Sequence, residues 1–168
     1  MNLRPLLMAI GFLTRLPVPA VAPRDERESG SALIAYPVVG ALLGALLALL
    51  AAATAALPAL LQAALIVAAW VALTGALHLD GLADAADAWV GGLGDREQTL
   101  AIMKDTTCGP MAVTAIAVVL LLKLGAVAAL VETAWLAIPA AVVAGRAGLT
   151  ALLLTTPYVR PGGIGEAL

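Results

Sequence analysis

Apolar residues occur along this chain in long runs that are separated by short polar segments. A helix needs about 20 consecutive apolar residues to cross the hydrocarbon of a bilayer. Runs of at least this length occur at residues 33–57, 59–79, 111–131 and 134–154. The first two contain no charged residue and are separated by the helix breaker Pro58, whereas the last two contain Lys123 and Arg146. The pattern therefore predicts four membrane-spanning helices.

A shorter apolar stretch at residues 5–20 is interrupted by Arg15, Pro17 and Pro19. Because these residues break both the apolar surface and the helix, we expect an interfacial or re-entrant helix here, and neither a crossing nor a cleaved signal peptide. The predicted fold class is all-α. It is a polytopic transmembrane helical bundle with about four spanning helices, this N-terminal helix and a cytoplasmic acidic helix.

The composition agrees with a membrane protein. The 168 residues are 62% hydrophobic and 12% charged, and the mean hydropathy of +1.04 is far above that of a water-soluble domain. This length leaves room for a single membrane domain over residues 1–168. The sequence has a single cysteine, Cys108, which excludes an internal disulfide and a cysteine-based metal cluster.

The basic residues outside the four runs all fall on one side of the predicted topology. They are Arg4, Arg15, Arg24, Arg27, Arg96, Lys104 and Arg160. The positive-inside rule assigns this side to the cytoplasm. We therefore expect a multi-pass membrane protein that is embedded in the lipid bilayer, has no nucleic-acid partner and carries out its chemistry on the cytoplasmic side.

Two small residues, Gly40 and Gly44, form a GxxxG motif within the first run. Such a motif lets two helices approach closely. The partner helix can belong to the same chain or to a second copy, so a homo-oligomer stays open at this point.

Three aspartates follow the second run in the segment HLDGLADAADAW. If the helix continues inward, Asp80, Asp84 and Asp87 stand at offsets of 0, 4 and 7 and share an arc of about 60°. Three like charges on one face repel each other, and a hard divalent cation such as Mg²⁺, which takes oxygen ligands and bridges carboxylates to phosphates, would offset this. The alternative is that these acids simply form a solvated cap on a membrane helix.

A second polar segment, IMKD, contains Lys104 and Asp105 and precedes the third run. A turn before it would place Asp105 beside the helix of the first three acids. Four carboxylates on two neighbouring helices would then form one cation site, with Lys104 close to bound phosphates. His78 lies about 160° from the aspartate stripe on a continuous helix, so it is a poor direct ligand.

Basic residues inside the predicted spans also require partners. Arg146 lies too deep for easy snorkelling, and such residues usually face a polar cavity and pair with anions. A diphosphate or the aspartate cluster would serve, while a structural salt bridge without substrate contact is the alternative. The partner of Lys123 stays open.

Several segments together resemble the cobalamin synthase family, also called adenosylcobinamide-GDP ribazoletransferases. They are FLTRLPVP at 12–19, YPVVGALLG at 36–44, HLDGLADAADAW at 78–89, IMKD at 102–105 with Gly109, Arg146, and PYVRPGGIG at 157–165. The resemblance implies a magnesium-dependent enzyme of the inner membrane. That enzyme joins adenosylcobinamide-GDP to α-ribazole or its 5′-phosphate and releases GMP.

The resemblance also implies roles for individual residues. The acids that match the family's metal ligands are Asp80, Asp84 and Asp87, while Lys104 and Asp105 match its second characteristic segment. With Asp105 from the cation site predicted above, the expected metal ligands are Asp80, Asp84, Asp87 and Asp105. The residues expected to act in catalysis are Asp84, Asp87, Lys104 and Arg146.

This sequence departs from the family pattern in two places. Thr106 and Thr107 follow IMKD where the family has a Ser-Arg-like pair, which removes one cation near the expected phosphates; Arg96 or Arg146 could replace it. Family members also continue beyond PYVRPGGIG, so the chain looks like their N-terminal two-thirds.

Three other functions stay open from the residues alone. A CDP-alcohol phosphotransferase also carries aspartates on facing membrane helices, but its pattern requires an Ala-Arg soon after Asp-Gly, and here the first arginine after Gly81 is Arg96. A cation or proton transporter would use the intramembrane charges, and an inactive scaffold would use none. Release of GMP that depends on the corrinoid substrate distinguishes these functions from a cobalamin synthase.

Overall fold

The computed structural model describes residues 3–157, and in this part of the chain all regular structure is helical. The helices are α1 (Arg4–Leu13), α2 (Glu26–Ile34), α3 (Tyr36–Ala53), α4 (Ala59–Thr74), α5 (Leu77–Gly92), α6 (Arg96–Ile102), α7 (Pro110–Thr133) and α8 (Ala137–Thr155). Three helical stretches are long and apolar enough to cross a membrane, and the bent pair α4 and α5 can provide a fourth. The predicted all-α polytopic class is thus confirmed. Arg160 and most of the PYVRPGGIG segment lie outside the described residues.

The N-terminal apolar stretch forms a helix that is too short to cross a bilayer. α1 has 10 residues and ends where Thr14 becomes extended, with φ of −140°. Arg4 at its start pairs with Glu28, with 2.8 Å between Nε and Oε1. Phe12 near its end stacks on Tyr36, with ring centroids 6.1 Å apart. These two contacts hold α1 against α2 and α3.

The first spanning helix begins several residues before its apolar run does. α2 begins after Asp25, whose carboxylate accepts a hydrogen bond from the backbone N–H of Glu28 at 2.7 Å. Such a cap satisfies an N–H group that has no partner within the helix. Ala35 between α2 and α3 keeps right-handed helical torsions, with φ of −80° and ψ of −11°. The span therefore covers Arg27–Ala53 and ends before the predicted residue 57.

The second predicted run does not form one continuous helix, so the expectation that α4 continues inward to carry the aspartates is wrong. α4 ends at Thr74, and both Gly75 and Ala76 have φ of +59°. A left-handed residue at this position ends a helix because it turns the chain away from the axis. α5 starts at Leu77 and is bent by 86° from α4.

The GxxxG motif is used inside the chain, between α3 and α8. A β-carbon on Gly44 would lie 3.0 Å from Cα of Pro139, and one on Gly40 would lie 3.1 Å from Cα of Val143. Thr150 of α8 also donates a hydrogen bond to the carbonyl of Leu33 at 3.0 Å. Small residues on α3 thus allow backbone-to-backbone packing with α8.

The core is centred on α3. Its fully buried large side chains include Tyr36, Val39, Leu43 and Leu47. By contrast, α7 keeps apolar side chains on its surface; Leu121, for example, is 67% exposed. A helix that is apolar on its exposed face is typical of contact with lipid.

Candidate active site

The acids predicted to form one site line a single cavity of about 640 Å³. The polar and charged side chains in its wall are Arg15, Asp80, Asp84, Asp87, Lys104, Asp105, Thr106, Thr107 and Cys108. Asp80, Asp84 and Asp87 all belong to α5. Gly81 is part of the same helix, so the three acids lie on one continuous helix. The second polar segment reaches the same cavity from the loop between α6 and α7.

Asp87 joins α5 to the start of α7. Its carboxylate accepts hydrogen bonds from the backbone N–H of Gly109 at 2.6 Å and of Ala112 at 2.9 Å. The first N–H groups of a helix have no partner within that helix and carry partial positive charge, so a carboxylate is favoured there. A β-carbon at residue 109 would lie 2.7 Å from Oδ1 of Asp87, which explains a glycine at this position.

The loop that carries Lys104 and Asp105 is shaped by a short helical hairpin. α5 ends with Leu93 in the left-handed region at φ of +45°, and Asp95 then caps α6 by accepting from the backbone N–H of Glu97 at 2.8 Å. After α6, the N–H of Asp105 donates to the carbonyl of Ile102 at 3.0 Å. This turn directs the chain back toward α5, so that Lys104 and Asp105 line the same cavity as the α5 acids.

Asp105 is held in a turn of its own. Its Oδ1 accepts a hydrogen bond from the backbone N–H of Thr107 at 3.0 Å. That hydrogen bond lowers the pKa of Asp105 below the ordinary value of 3.8, because it stabilises the charged form. Asp105 is therefore an exposed, ionised carboxylate at neutral pH.

The four carboxylates provide the donor type that a hard divalent cation takes, since Mg²⁺ binds oxygen ligands and retains several waters. Within residues 3–157, no three carboxylate, imidazole or thiol groups converge closely enough to form a ready-made metal site. Two oxygens of Asp87 already accept N–H groups, although each keeps a further lone pair. The assignment of these acids as metal ligands stays a prediction.

The structure does not bring Arg146 into the wall of this cavity. Arg146 lies within electrostatic range of His78 and Lys123. Lys123 Nζ is 3.2 Å from Nε2 of His78 and 4.4 Å from the ring centroid of Trp70, and His78 Nδ1 is 3.4 Å from Oγ1 of Thr74. His78 thus contacts a basic group and does not line the cavity with the aspartates, and a catalytic role of Arg146 stays a prediction.

Arg15 is the charged residue of this cavity that the sequence did not indicate as part of the site. In the sequence it stands out only as a basic residue between two apolar stretches, 65 positions before Asp80. The signal available was its place in the FLTRLPVP segment. Arg96, considered as a replacement cation, does not line the cavity.

The helices and the cavity together define a class: a polytopic helical membrane protein with a carboxylate-rich site at the bent junction of two helices. The chain belongs to the cobalamin-5-phosphate synthase family, whose model matches residues 5–168. It is accordingly an enzyme, a transferase of cobalamin biosynthesis. This assignment leaves the lipid-synthase, transporter and scaffold alternatives without support.

Curated relatives agree with the family assignment. The chain is 56% identical to an adenosylcobinamide-GDP ribazoletransferase of Pseudomonas paraeruginosa, an alignment that covers 99% of this chain and 68% of the relative. Proteins of the same name from Pseudomonas aeruginosa and Stutzerimonas stutzeri are 55% and 53% identical, and the alignments cover 68% and 67% of their lengths. No solved structure matches this chain.

Proposed function

We propose that this enzyme joins adenosylcobinamide-GDP to α-ribazole or its 5′-phosphate, with release of GMP, in a reaction that depends on Mg²⁺. The names of the relatives support the substrates. The observation that carries the proposal is the shared cavity, because it collects four carboxylates and two cations from three separate parts of the chain. Diphosphate substrates with a divalent ion require such a mixture of charges.

The residues that would hold Mg²⁺ are Asp80, Asp84 and Asp105, with Asp87 able to contribute a remaining lone pair. All four are oxygen donors in the wall of one cavity, which fits the ligand preference of this ion. When bound, Mg²⁺ neutralises charge on the diphosphate and on the transition state.

The chemistry is a displacement at phosphorus. A hydroxyl oxygen of the ribazole forms a bond to the phosphorus that carries the cobinamide, the bond from this phosphorus to the bridging oxygen breaks, and GMP leaves with that oxygen. In the phosphorylated acceptor the 5′ oxygen already carries a phosphate, so an enzyme that uses both acceptors takes its nucleophile from the ribose ring.

The protein residues position the two reactants and balance their charge. Lys104 in the cavity wall offers an ammonium group to the phosphates. The proton released by the attacking hydroxyl passes to one of the α5 carboxylates, which lie in the same wall. Asp87 additionally fixes the start of α7, so it maintains the shape of the site as well as its charge.

We also propose that the site faces the cytoplasm at the inner membrane. The cavity is lined by Arg15 and Lys104, and both belong to the set of loop cations that fall on one side of the predicted topology. Cytoplasmic loops of inner-membrane proteins carry such an excess of lysine and arginine.

Reconstitution of the full chain in vesicles tests this function. Wild-type protein is incubated with Mg²⁺, adenosylcobinamide-GDP and α-ribazole, and GMP and corrinoid product are separated by chromatography. Asp84→Asn is expected to lower turnover about 100-fold or more because it removes a charge that the reaction requires. Glu132→Gln is the matched control, since it removes one acidic charge at the exposed opposite end of α7. Wild-type turnover that survives in Asp84→Asn would contradict the proposed site.

A further inference from the structure

Arg15 lies in the wall of two cavities. One is the acid-lined cavity, and the other is a mainly apolar cavity of about 590 Å³ formed by α1, the segment after it, α2 and the start of α3. Phe12, Val18 and Tyr36 are among the residues that line the second cavity. Two neighbouring cavities that share a wall residue can hold two reactants beside each other. Arg15 stands at the boundary between two such volumes.

The backbone of Arg15 is tied to the end of α4. Its N–H donates a hydrogen bond to the carbonyl of Leu73 at 2.7 Å. The preceding residue, Thr14, is buried, and its Oγ1 accepts from the N–H of Leu16 at 3.2 Å. These main-chain contacts do not involve the guanidinium group, so they survive a change of the side chain.

The break between α4 and α5 makes room for this arginine. Gly75 has φ of +59°, and a β-carbon on it would collide with Nε of Arg15. The absence of a side chain at residue 75 thus permits both the sharp turn into α5 and the passage of Arg15 along it. The same feature that turns the acidic helix therefore places a guanidinium group beside it.

Arg15 lines a cavity rich in acids and, among the described residues, forms no ion pair with them. Among the described side chains, Arg15 takes part in no ion pair, and its side chain is exposed. Arg15 and Lys104 are the basic residues in the described wall of the acid-lined cavity. A guanidinium group presents two parallel N–H donors that match phosphate geometry, whereas an ammonium acts as a point charge.

We propose that Arg15 binds a substrate phosphate at the boundary between the two cavities. This inference rests on the proposed function and adds to it a binding residue outside the aspartate and IMKD segments. The phosphate can be the diphosphate of the activated corrinoid or the 5′-phosphate of the acceptor, and the two have the same chemistry at Arg15. Thr106 and Thr107 line the acid-lined cavity without supplying a cation, and Arg15 is the residue that supplies a guanidinium group among those described in its wall.

Binding measurements on the full chain in detergent test the assignment independently of turnover. The variants are Arg15→Gln, which removes the charge, and Arg15→Lys, which keeps the charge but loses the paired donors. Arg24→Gln is the matched control because Arg24 belongs to the same connecting segment and lines neither cavity. The probes for calorimetry, each in the presence of Mg²⁺, are inorganic pyrophosphate, α-ribazole 5′-phosphate and α-ribazole.

We expect Arg15→Gln to weaken binding of one phosphate probe about 10- to 100-fold, Arg15→Lys to weaken it less, and Arg24→Gln to leave it unchanged. Weaker pyrophosphate binding assigns Arg15 to the diphosphate. Weaker binding of α-ribazole 5′-phosphate, with α-ribazole itself unaffected, assigns it to the acceptor.

Wild-type affinity of Arg15→Gln for all three probes would overturn the inference, as would equal losses in Arg24→Gln. Melting curves of each variant show that it is folded. A GMP-release assay on the same proteins tests the proposed function separately. If wild-type protein binds the probes through Arg15 but releases no GMP, the proposed function fails while the phosphate site stands. With an active wild type, Arg15→Gln is expected to raise KM for the affected substrate more than it lowers kcat.

Discussion

Asp87 combines a structural contact with a place in the candidate active site, and the two contributions can be separated. Its carboxylate accepts two N–H groups at the start of α7, at 2.6 and 2.9 Å. Hydrogen bonds to a charged group contribute about 1.5–3 kcal/mol each when buried. Because Asp87 is only partly buried, we expect Asp87→Asn to lower the free energy of unfolding by about 2–3 kcal/mol for the pair. The amide can accept one N–H, but its NH₂ group then faces the other donor.

The assay compares apparent melting temperatures in detergent with hydrogen exchange in peptides that cover residues 109–112. For a chain of this size we expect the melting temperature of Asp87→Asn to fall by roughly 4–12 °C and exchange at the start of α7 to accelerate. Asp80→Asn is the control, because it makes the same change on the same helix at an exposed aspartate. If Asp87→Asn melts and exchanges like the wild type, the capping interpretation is refuted.

Three further predictions concern packing, the metal and the loop. Gly44→Ala is expected to lower the free energy of unfolding by about 1–3 kcal/mol, since the new β-carbon would lie 3.0 Å from Cα of Pro139. The melting temperature of Gly44→Ala should fall, whereas that of Gly125→Ala should not, because there is open space around Gly125. Chelation of divalent ions should abolish GMP release and added Mg²⁺ should restore it; release that persists with excess chelator would argue against the metal. The carboxyl of Asp105 should titrate below pH 3.8 by NMR, so its contact with Thr107 persists at neutral pH and is lost only as the pH falls through that depressed pKa. Thr107→Pro, which lacks the N–H donor, should raise the midpoint toward the ordinary value, and an unchanged midpoint would contradict the stated cause.

The main error in the sequence-based prediction lies at the end of the second apolar run. Apolar composition continues past Thr74 to Leu79, and the hydropathy of the run contains no mark of a bend. The sequence signal for the bend was Gly75, because a glycine can adopt the left-handed conformation that ends a helix. Ala76 shares that conformation although alanine favours helices, so local preference would have predicted the opposite.

The acidic stripe was predictable despite this error. Asp80, Asp84 and Asp87 lie within α5, and their common face depends only on helical periodicity over eight residues. The direction of α5 relative to α4 does not enter that argument. Their common cavity with Asp105 required in addition that the loop after α6 return to α5, which the turn residues only suggested.

The sequence by itself determined the class of this protein, its helical segments and the spacing of its acids, because hydrophobicity and helical period are properties of neighbouring residues. The tertiary structure decided which distant groups meet. It placed Arg146 with Lys123 and His78, and not with the aspartates. It used Asp87 to cap α7, and it brought Arg15 to the acid-lined cavity. These contacts depend on how helices pack and on a turn at two left-handed residues, and packing between elements distant along the chain leaves no periodic signal in the sequence.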